Sequence, residues 1–210
     1  MSRVDAKVVL LGKSYVGKTC LVNKYVHHRF DPNLPYQNTI GAAFGSKKET
    51  VNGKSLMLGI WDTAGHERYE SMTRMYYRGA VACILCYDIT DKSSFDKARF
   101  WAGELKSTQE DCRIYLCGTK KDIADDNPNK REVDKRMAEP LAADFQSQLY
   151  ETSSLTGENI DELFKQIARD IIEKRETAVR ENKEQEDSLN MYTGRDSERR
   201  RGCVLYKCWS

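Results

Sequence analysis

Eight consecutive residues near the start of the chain have the types and spacing needed to hold a phosphate group. They form the phosphate loop, Gly12–Thr19 (G-K-S-Y-V-G-K-T), which fits G-x-x-x-x-G-K-[ST] and follows a predicted strand, Val4–Leu11. The glycines let the backbone fold around an anion, and the amides of Ser14, Tyr15, Val16, Gly17, Lys18, Thr19 and Cys20 should point inward at a helix start. Lys18 would neutralise the β- and γ-phosphate oxygens, and the Thr19 hydroxyl would bind Mg²⁺. The alternative is a plain glycine-containing turn; kinases, ATPases and GTPases all share this motif.

A second segment, Trp61-Asp62-Thr63-Ala64-Gly65, comes at the end of another predicted strand, Ser55–Trp61. An acidic residue at the carboxyl end of a strand that faces the phosphate loop can hold magnesium through a water molecule, and Asp62 has that placement. Gly65 has no side chain, so its amide can approach a γ-phosphate. We therefore expect Asp62 and Gly65 to complete the phosphate and metal site.

A third segment, Thr119-Lys120-Lys121-Asp122, follows the predicted strand Arg113–Cys117 and suits a purine base. The Asp122 carboxylate can accept hydrogen bonds from the N1–H and the exocyclic amine of guanine, whereas adenine would leave it unpaired. Taken alone, such a tetrapeptide is typical of a solvated turn, and its position after a strand is what indicates a base site. Asp122 therefore favours GTP and GDP over ATP.

The composition disfavours several other functions. The formal net charge of +2 gives no reason to expect nucleic-acid binding. The longest apolar run, Ala80–Tyr87, is too short to span a bilayer, and the first residues lack a signal-peptide core, so a cytosolic protein is expected. The seven cysteines should then be reduced, and Cys83 and Cys86 are interpreted as core thiols and not as metal ligands. With three histidines, a zinc centre or a Ser-His-Asp hydrolase has little support.

Short apolar runs alternate with amphipathic stretches along the chain. The predicted strands are 4–11, 55–61, 80–87, 113–117 and 148–152, with a more polar edge strand at 42–51. The predicted helices are 18–27, 93–106, 134–145 and 159–175. Pro140 either bends the helix 134–145 or marks its beginning. The alternation predicts an α/β fold, with a mostly parallel six-stranded sheet and helices on both faces.

The composition changes near Glu176. Apolar positions become sparse there, and the chain is mostly Glu, Lys, Asn, Gln, Asp and Arg. Such a segment buries too little surface to offset the entropy of ordering. We therefore predict one GTP-binding domain over residues 1–175 and a disordered tail over 176–210.

Over residues 4–175 the chain resembles the Rab family of small GTPases. The phosphate loop, D-T-A-G and Glu151-Thr152-Ser153-Ser154 occur in family order, and three segments resemble those that separate Rabs from Ras-, Rho- and Arf-type relatives: Ile40–Phe44, Trp61–Gly65 and Tyr76–Ala80. The atypical group that includes Rab twenty-four is similar in its phosphate-loop tyrosine, its T-K-x-D segment and its lack of the switch glutamine. The resemblance implies the P-loop small GTPase fold, GTP, GDP and Mg²⁺ as cofactors, and a GTP/GDP switch that regulates vesicle and membrane traffic.

The resemblance also implies roles for single residues. Thr39 would bind magnesium only while the γ-phosphate is present, and with Lys18 and His66 it would form the catalytic group. Tyr36 would close over the phosphates. The base would be surrounded by Phe30, Thr119, Lys120, Ser153, Ser154 and Leu155.

Four positions depart from the Rab pattern. His66 stands where most members have the glutamine that orients the attacking water, and a neutral imidazole lacks that carbonyl-plus-amine geometry. Slow intrinsic hydrolysis is therefore expected, the alternative being that His66 has no catalytic consequence. Tyr15 replaces a glycine and either crowds the γ-phosphate or points to solvent. Thr119 replaces an asparagine, which predicts weaker nucleotide binding, and Leu155 replaces a lysine and supplies only the apolar part of its contact.

The last residues indicate a membrane anchor without a CaaX box, because Lys207 stands where that motif needs cysteine. Rabs usually end with two close cysteines, whereas Cys203 and Cys208 are five positions apart. We predict prenylation of Cys208 and treat Cys203 as a second candidate. The basic cluster Arg199–Arg201, together with Lys207, would strengthen attachment to the cytoplasmic face of endomembranes. An unmodified, solvated tail is the alternative.

The resemblance implies a monomer with four kinds of protein partner: effectors that bind the GTP state, an exchange factor, an activating protein and carriers of the GDP-dissociation-inhibitor type. The effector surface would consist of the exposed aromatic residues Phe44, Trp61 and Tyr76. A competing function is a GTP-binding interaction module with negligible turnover, which Tyr15, His66 and Thr119 favour. A P-loop kinase is disfavoured, because the chain shows no arginine-rich lid and no second substrate pocket.

Overall fold

The computed structural model describes residues 3–33, 35, 37–109 and 111–202. Side chains are described for all of these except Glu67, Glu70, Ser71 and 187–202. The predicted roles of Tyr36, Cys203 and Cys208 therefore concern residues outside these ranges. In the described part, no helix combines the length and apolar character needed to cross a membrane.

The described residues form six strands and six α-helices. The strands are β1 Ala6–Leu11, β2 Ala42–Val51, β3 Lys54–Thr63, β4 Ala82–Asp88, β5 Arg113–Thr119 and β6 Gln148–Glu151. The helices are α1 Lys18–His27, α2 Glu70–Tyr77, α3 Lys92–Thr108, α4 Lys121–Asp126, α5 Lys135–Asp144 and α6 Ile160–Gly202. Single 3₁₀ turns lie at Glu67–Tyr69 and Pro128–Lys130. Every predicted strand and helix is present, and α2 and α4 are additional.

The strands form one sheet in the order β2-β3-β1-β4-β5-β6. Only β2 runs antiparallel to its neighbour, and it lies at the edge, as predicted. The central strand β1 pairs with β3 and β4, so Val8 lies opposite Ile60 and Ala82. Because five strands are parallel, their carboxyl ends meet at one edge of the sheet, which is where ligands bind in such folds. The phosphate loop follows the end of β1, Asp62 lies at the end of β3, and Asp122 follows the end of β5.

Helices cover both faces of the sheet, which explains the continuous apolar runs of the central strands. On one face, α3 buries Phe95, Trp101 and Leu105 in a core that includes Val9 and Leu85. On the other face, Tyr25 of α1 stacks on Phe164 of α6, with ring centroids 3.6 Å apart and planes within 6°. The predicted fold class is confirmed. Cys83 and Cys86 are fully buried free thiols, as the sequence predicted.

Helix α5 contains Pro140 in its interior. The helix begins at Lys135, because the Asp134 carboxylate accepts the Arg136 backbone N–H at 2.9 Å and caps the first turn. The alternative in which this helix begins at Pro140 is therefore wrong.

Helix α6 extends far beyond its predicted end at residue 175 and continues to Gly202. The prediction of disorder is therefore wrong for residues 176–202. This stretch buries little apolar surface, but it is rich in Glu, Lys, Arg and Gln and has no proline, so it has high helix propensity without a core. Residues up to Arg169 form one compact unit, and the chain from Asp170 onward belongs to a second. The division into a domain and a tail at residue 175 stays a prediction.

Candidate nucleotide-binding site

The phosphate loop joins β1 to α1 at the carboxyl edge of the sheet. Gly12 has a φ of +148°, and a Cβ there would lie 2.2 Å from the Cys86 carbonyl oxygen, so only glycine fits. The Lys18 ammonium donates to the carbonyls of Gly12 and Lys13, both at 2.9 Å, and is 5% exposed. Burial lowers the pKa of Lys18. The loop thus curves around a cation that faces its interior.

Three side-chain oxygens meet beside this loop. The Thr19 hydroxyl donates to Asp62 Oδ2 at 2.6 Å and lies 3.1 Å from the Thr39 hydroxyl oxygen, which is 3.5 Å from the same carboxylate oxygen. Asp62 is 2% exposed, and its Oδ1 has no hydrogen-bond partner among the described residues. Burial raises the pKa of Asp62, and the Thr19 hydroxyl and the Lys18 charge oppose that shift.

This oxygen cluster fits the predicted magnesium site. Mg²⁺ prefers oxygen ligands at about 2.0–2.1 Å in an octahedron, in which neighbouring ligands are about 3 Å apart. The two threonine hydroxyls have that spacing. The Asp62 oxygen without a partner leaves an acceptor for a metal-bound water.

Gly65 lies directly against the phosphate loop. A Cβ at this position would be 2.5 Å from both Lys18 Nζ and Ser14 N, so the absence of a side chain is required. The preceding residue, Ala64, donates its N–H to the Gly41 carbonyl at 2.8 Å. Gly41 has a φ of +70°, and a Cβ there would lie 2.8 Å from the Tyr76 hydroxyl. The segments around Thr39 and Asp62 therefore contact each other as well as the phosphate loop.

His66 follows this segment and is half-buried. Its Nδ1 accepts the Arg68 backbone N–H at 3.3 Å. A neutral ring with an accepting Nδ1 carries its proton on Nε2, so that nitrogen can only donate. Tyr15 is 60% exposed with a φ of +66°, which agrees with the solvent-facing alternative.

The predicted base-binding residues lie at the next strand ends. The Ser153 hydroxyl donates to Asp122 Oδ1 at 2.6 Å and accepts the Thr156 N–H at 3.1 Å. Lys120 has a left-handed backbone, and its ammonium lies 2.6 Å from Asp88. Three other predicted site residues are half-buried: Cys20 on α1, Phe30 after α1, and Ser154. A fourth, Leu155, is 49% exposed.

Thr119 connects the two ends of the site. Its hydroxyl is buried and lies 2.5 Å from the Val16 carbonyl oxygen in the phosphate loop and 2.9 Å from the Tyr87 carbonyl oxygen in β4. A hydroxyl has one proton, so the two carbonyls compete for it. The sequence predicted weaker bracing at this position, and in the structure one hydroxyl lies within hydrogen-bond distance of both carbonyl oxygens.

Sequence reasoning missed two lysines at the site. The Lys13 ammonium lies 3.1 Å from Asp91 Oδ2 and 2.6 Å from the Ser93 hydroxyl, which connects the phosphate loop to the start of α3. Lys24 donates to the Leu155 carbonyl at 3.3 Å. Lys13 fills an unspecified position of the motif, and Lys24 lies outside every motif, so the sequence offered no signal for either contact.

Comparison with known proteins gives a consistent result. The sequence profile described as Ras family matches residues 7–173. The chain is 42% identical over 173 residues to the Ras-related protein Rab-24 of Dictyostelium discoideum, which covers 82% of this chain and 84% of that protein. It is 37% identical over 211 residues to the Ras-like GTP-binding protein RYL2 of Yarrowia lipolytica, covering 97% and 100%. Identity to the human Ras-related protein Rab-4A is 40% over 172 residues, covering 81% and 76%. The chain therefore belongs to the Ras family of small GTPases, as a Rab-like member.

Proposed function

We propose that this chain is a GTP/GDP switch in vesicle and membrane traffic that hydrolyses GTP slowly. The observation that carries the proposal is the oxygen cluster of Thr19, Thr39 and Asp62 beside Lys18 and Gly65. Thr39 lies between α1 and β2, so its segment is held in place when its hydroxyl binds the metal. Loss of the γ-phosphate would release that segment, which is the readout of a nucleotide switch.

Different residues of the site would bind the phosphates, the metal and the base of the nucleotide. The amides of residues 14–20 and the Lys18 ammonium would hold the phosphates, and Tyr36 would close over them. Thr19, Thr39 and, through water, Asp62 would hold Mg²⁺, which when bound neutralises charge on the β- and γ-phosphates. Asp122 would select guanine, with the base surrounded by Phe30, Thr119, Lys120, Ser153, Ser154 and Leu155.

Slow hydrolysis follows from His66. A glutamine amide can accept from the attacking water and donate to the phosphate at once. With Nδ1 occupied by the Arg68 N–H, the His66 ring can donate but has no acceptor left for the water. The same feature supports the second candidate, a GTP-binding interaction module with negligible turnover.

The effector surface would include Phe44, Trp61 and Tyr76. Phe44 is 57% exposed, whereas Trp61 and Tyr76 are half-buried and not exposed as predicted. The Phe44 and Trp61 rings meet edge-on, with centroids 4.8 Å apart. The Tyr76 hydroxyl lies where a Cβ on Gly41 would project, two residues along the chain from Thr39. A patch in contact with the nucleotide-dependent segment suits effectors that bind only the GTP state. Rab-like proteins also work with exchange factors, activating proteins and GDP-dissociation-inhibitor carriers, which we expect here with a monomer.

Attachment to membranes would depend on the C-terminal cysteines, which lie outside the described residues. Prenylation of Cys208, with Cys203 as a second candidate, would place the protein on the cytoplasmic face of endomembranes. Intact-mass measurement of the protein from eukaryotic cells tests this. An isoprenoid adduct is expected, and an unmodified mass would remove the anchor from the proposal.

The nucleotide carried by the purified protein tests the central proposal. We expect GTP or GDP to be retained in millimolar Mg²⁺, with GTP turned over slowly in single-turnover assays with and without activating proteins. Retention without any hydrolysis would select the interaction module. Failure of a folded preparation to bind a guanine nucleotide, or a preference for ATP, would refute both candidates.

A further inference from the structure

Helix α1 contacts both ends of the candidate nucleotide site. It begins at Lys18, inside the phosphate loop, with Gly17 as its N-cap, and Lys24 lies in its last turn. Because a helix rises 1.5 Å per residue, Lys24 is about 9 Å along the axis from Lys18. From there the Lys24 ammonium donates to the Leu155 carbonyl at 3.3 Å. One rigid element therefore connects the phosphate loop to the base loop, defined here as residues 153–157.

The base loop leaves room for this side chain at Gly157. A Cβ at Gly157 would lie 3.1 Å from Lys24 Cε, closer than an ordinary contact, and its φ of +88° also disfavours any other residue. The Gly157 N–H donates to the Ser153 carbonyl at 2.8 Å, which closes the loop on itself. The Lys24 stem thus passes the loop at Gly157, and the Lys24 ammonium reaches the Leu155 carbonyl.

The contact continues from the base loop to the carboxylate assigned to guanine. Ser153, at the start of the loop, donates its hydroxyl to Asp122 Oδ1 at 2.6 Å. On the side facing α4, Glu158, the residue that directly follows the loop, forms an ion pair with Lys121 at 3.1 Å. Lys24 provides the contact on the side facing α1. Loss of that contact would let the loop, and with it Ser153, move relative to the phosphate loop.

We infer that Lys24 is a positioning residue that fixes the base loop against α1 and so sets the spacing between the phosphate and base ends of the site. This inference rests on the proposed function, because it assigns the base to Asp122 and the base loop. Its effect should appear in base recognition as well as in overall affinity. Inosine diphosphate lacks the exocyclic amine of guanine, so it makes one hydrogen bond fewer to Asp122 and reports how well that carboxylate is placed.

Release of GDP and of inosine diphosphate from the full chain in millimolar Mg²⁺ tests the inference. Lys24→Met keeps most of the stem but removes the ammonium, and we expect it to speed GDP release roughly threefold, as for the loss of one hydrogen bond. Release of inosine diphosphate should change less, so the advantage of GDP over it should shrink. Lys24→Arg should restore both values, and Asn23→Ala, an exposed neighbour on α1, should match the wild type.

Two results would overturn the inference: a wild-type GDP release rate for Lys24→Met, or equal acceleration of both nucleotides, which would indicate general weakening. Failure of the proposed function has a different signature. In that case the wild-type chain itself would retain no GDP.

Discussion

Replacing Thr119 with valine should speed GDP release, and replacing it with asparagine should slow it. The Thr119 side chain connects the phosphate loop to β4, and its single hydroxyl proton is shared between the Val16 and Tyr87 carbonyls. Valine has nearly the same shape but no proton to share. Asparagine has two N–H donors, so both carbonyls can be satisfied at the same time.

The size of the effect follows from the burial of Thr119, which is 3% exposed. Leaving a buried acceptor without its partner costs about 1–3 kcal/mol. A change of about 1.4 kcal/mol in a barrier corresponds to about a tenfold change in rate. We therefore expect release to be about tenfold faster for Thr119→Val and several-fold slower for Thr119→Asn, because a phosphate loop held in place loses less entropy on binding.

Release of a fluorescent GDP analogue into excess unlabelled GTP measures both changes. Thr119→Ser keeps the hydroxyl and serves as the matched control, with a rate close to wild type. Thermal unfolding of the nucleotide-free chains shows whether a variant is simply unstable. The reasoning is refuted if the valine and asparagine variants release GDP at the same rate, or if asparagine releases it faster.

Further predictions concern His66, Tyr87 and Asp62. His66→Gln restores a side chain that donates and accepts, so single-turnover GTP hydrolysis should rise about tenfold or more; an unchanged rate would mean that His66 does not limit the reaction. The buried Tyr87 hydroxyl has no hydrogen-bond partner within the described ranges, so Tyr87→Phe should raise the free energy of unfolding by about 1 kcal/mol in urea titrations. A lower value would point to a bound water. Chelating Mg²⁺ with EDTA should speed GDP release by about tenfold or more, because a metal on the phosphates contributes several kcal/mol. Asp62→Ala should lose most of that response, and a full response would contradict the assigned metal site.

The sheet could be predicted because of how its strands are buried. The central strands are covered on both faces and therefore appear as unbroken apolar runs, such as Ala82–Asp88, in which every residue is buried. The short helix α2 was missed because its eight residues cover only about two turns, and its apolar Met72 and Met75 are 42% and 68% exposed. The tail helix was missed for a different reason: its stability comes from local propensity and not from burial.

The site could be predicted only as separate segments. Each motif follows a strand, and parallel strands bring their carboxyl ends together, so the sequence was enough to propose that Lys18, Asp62 and Asp122 share one edge. Contacts between the segments were beyond it. Lys24 and Leu155 are 131 positions apart, and the proton that Thr119 shares depends on two backbone carbonyls. A single sequence has no pattern that pairs such atoms.

The packing at Gly41 connects the segment near Thr39 to α2, so it affects how a protein bound at α2 responds to the nucleotide. Its carbonyl is occupied by Ala64, and the Tyr76 hydroxyl fills the space where a side chain would project. Displacing the backbone near Thr39 therefore disturbs α2 as well. A protein that touches only α2 would still be affected by that displacement. A methyl group added at Gly41 would push the segment around Thr39 away from α2. Such a chain would still bind nucleotide, but a protein bound to α2 would no longer respond to which nucleotide is present.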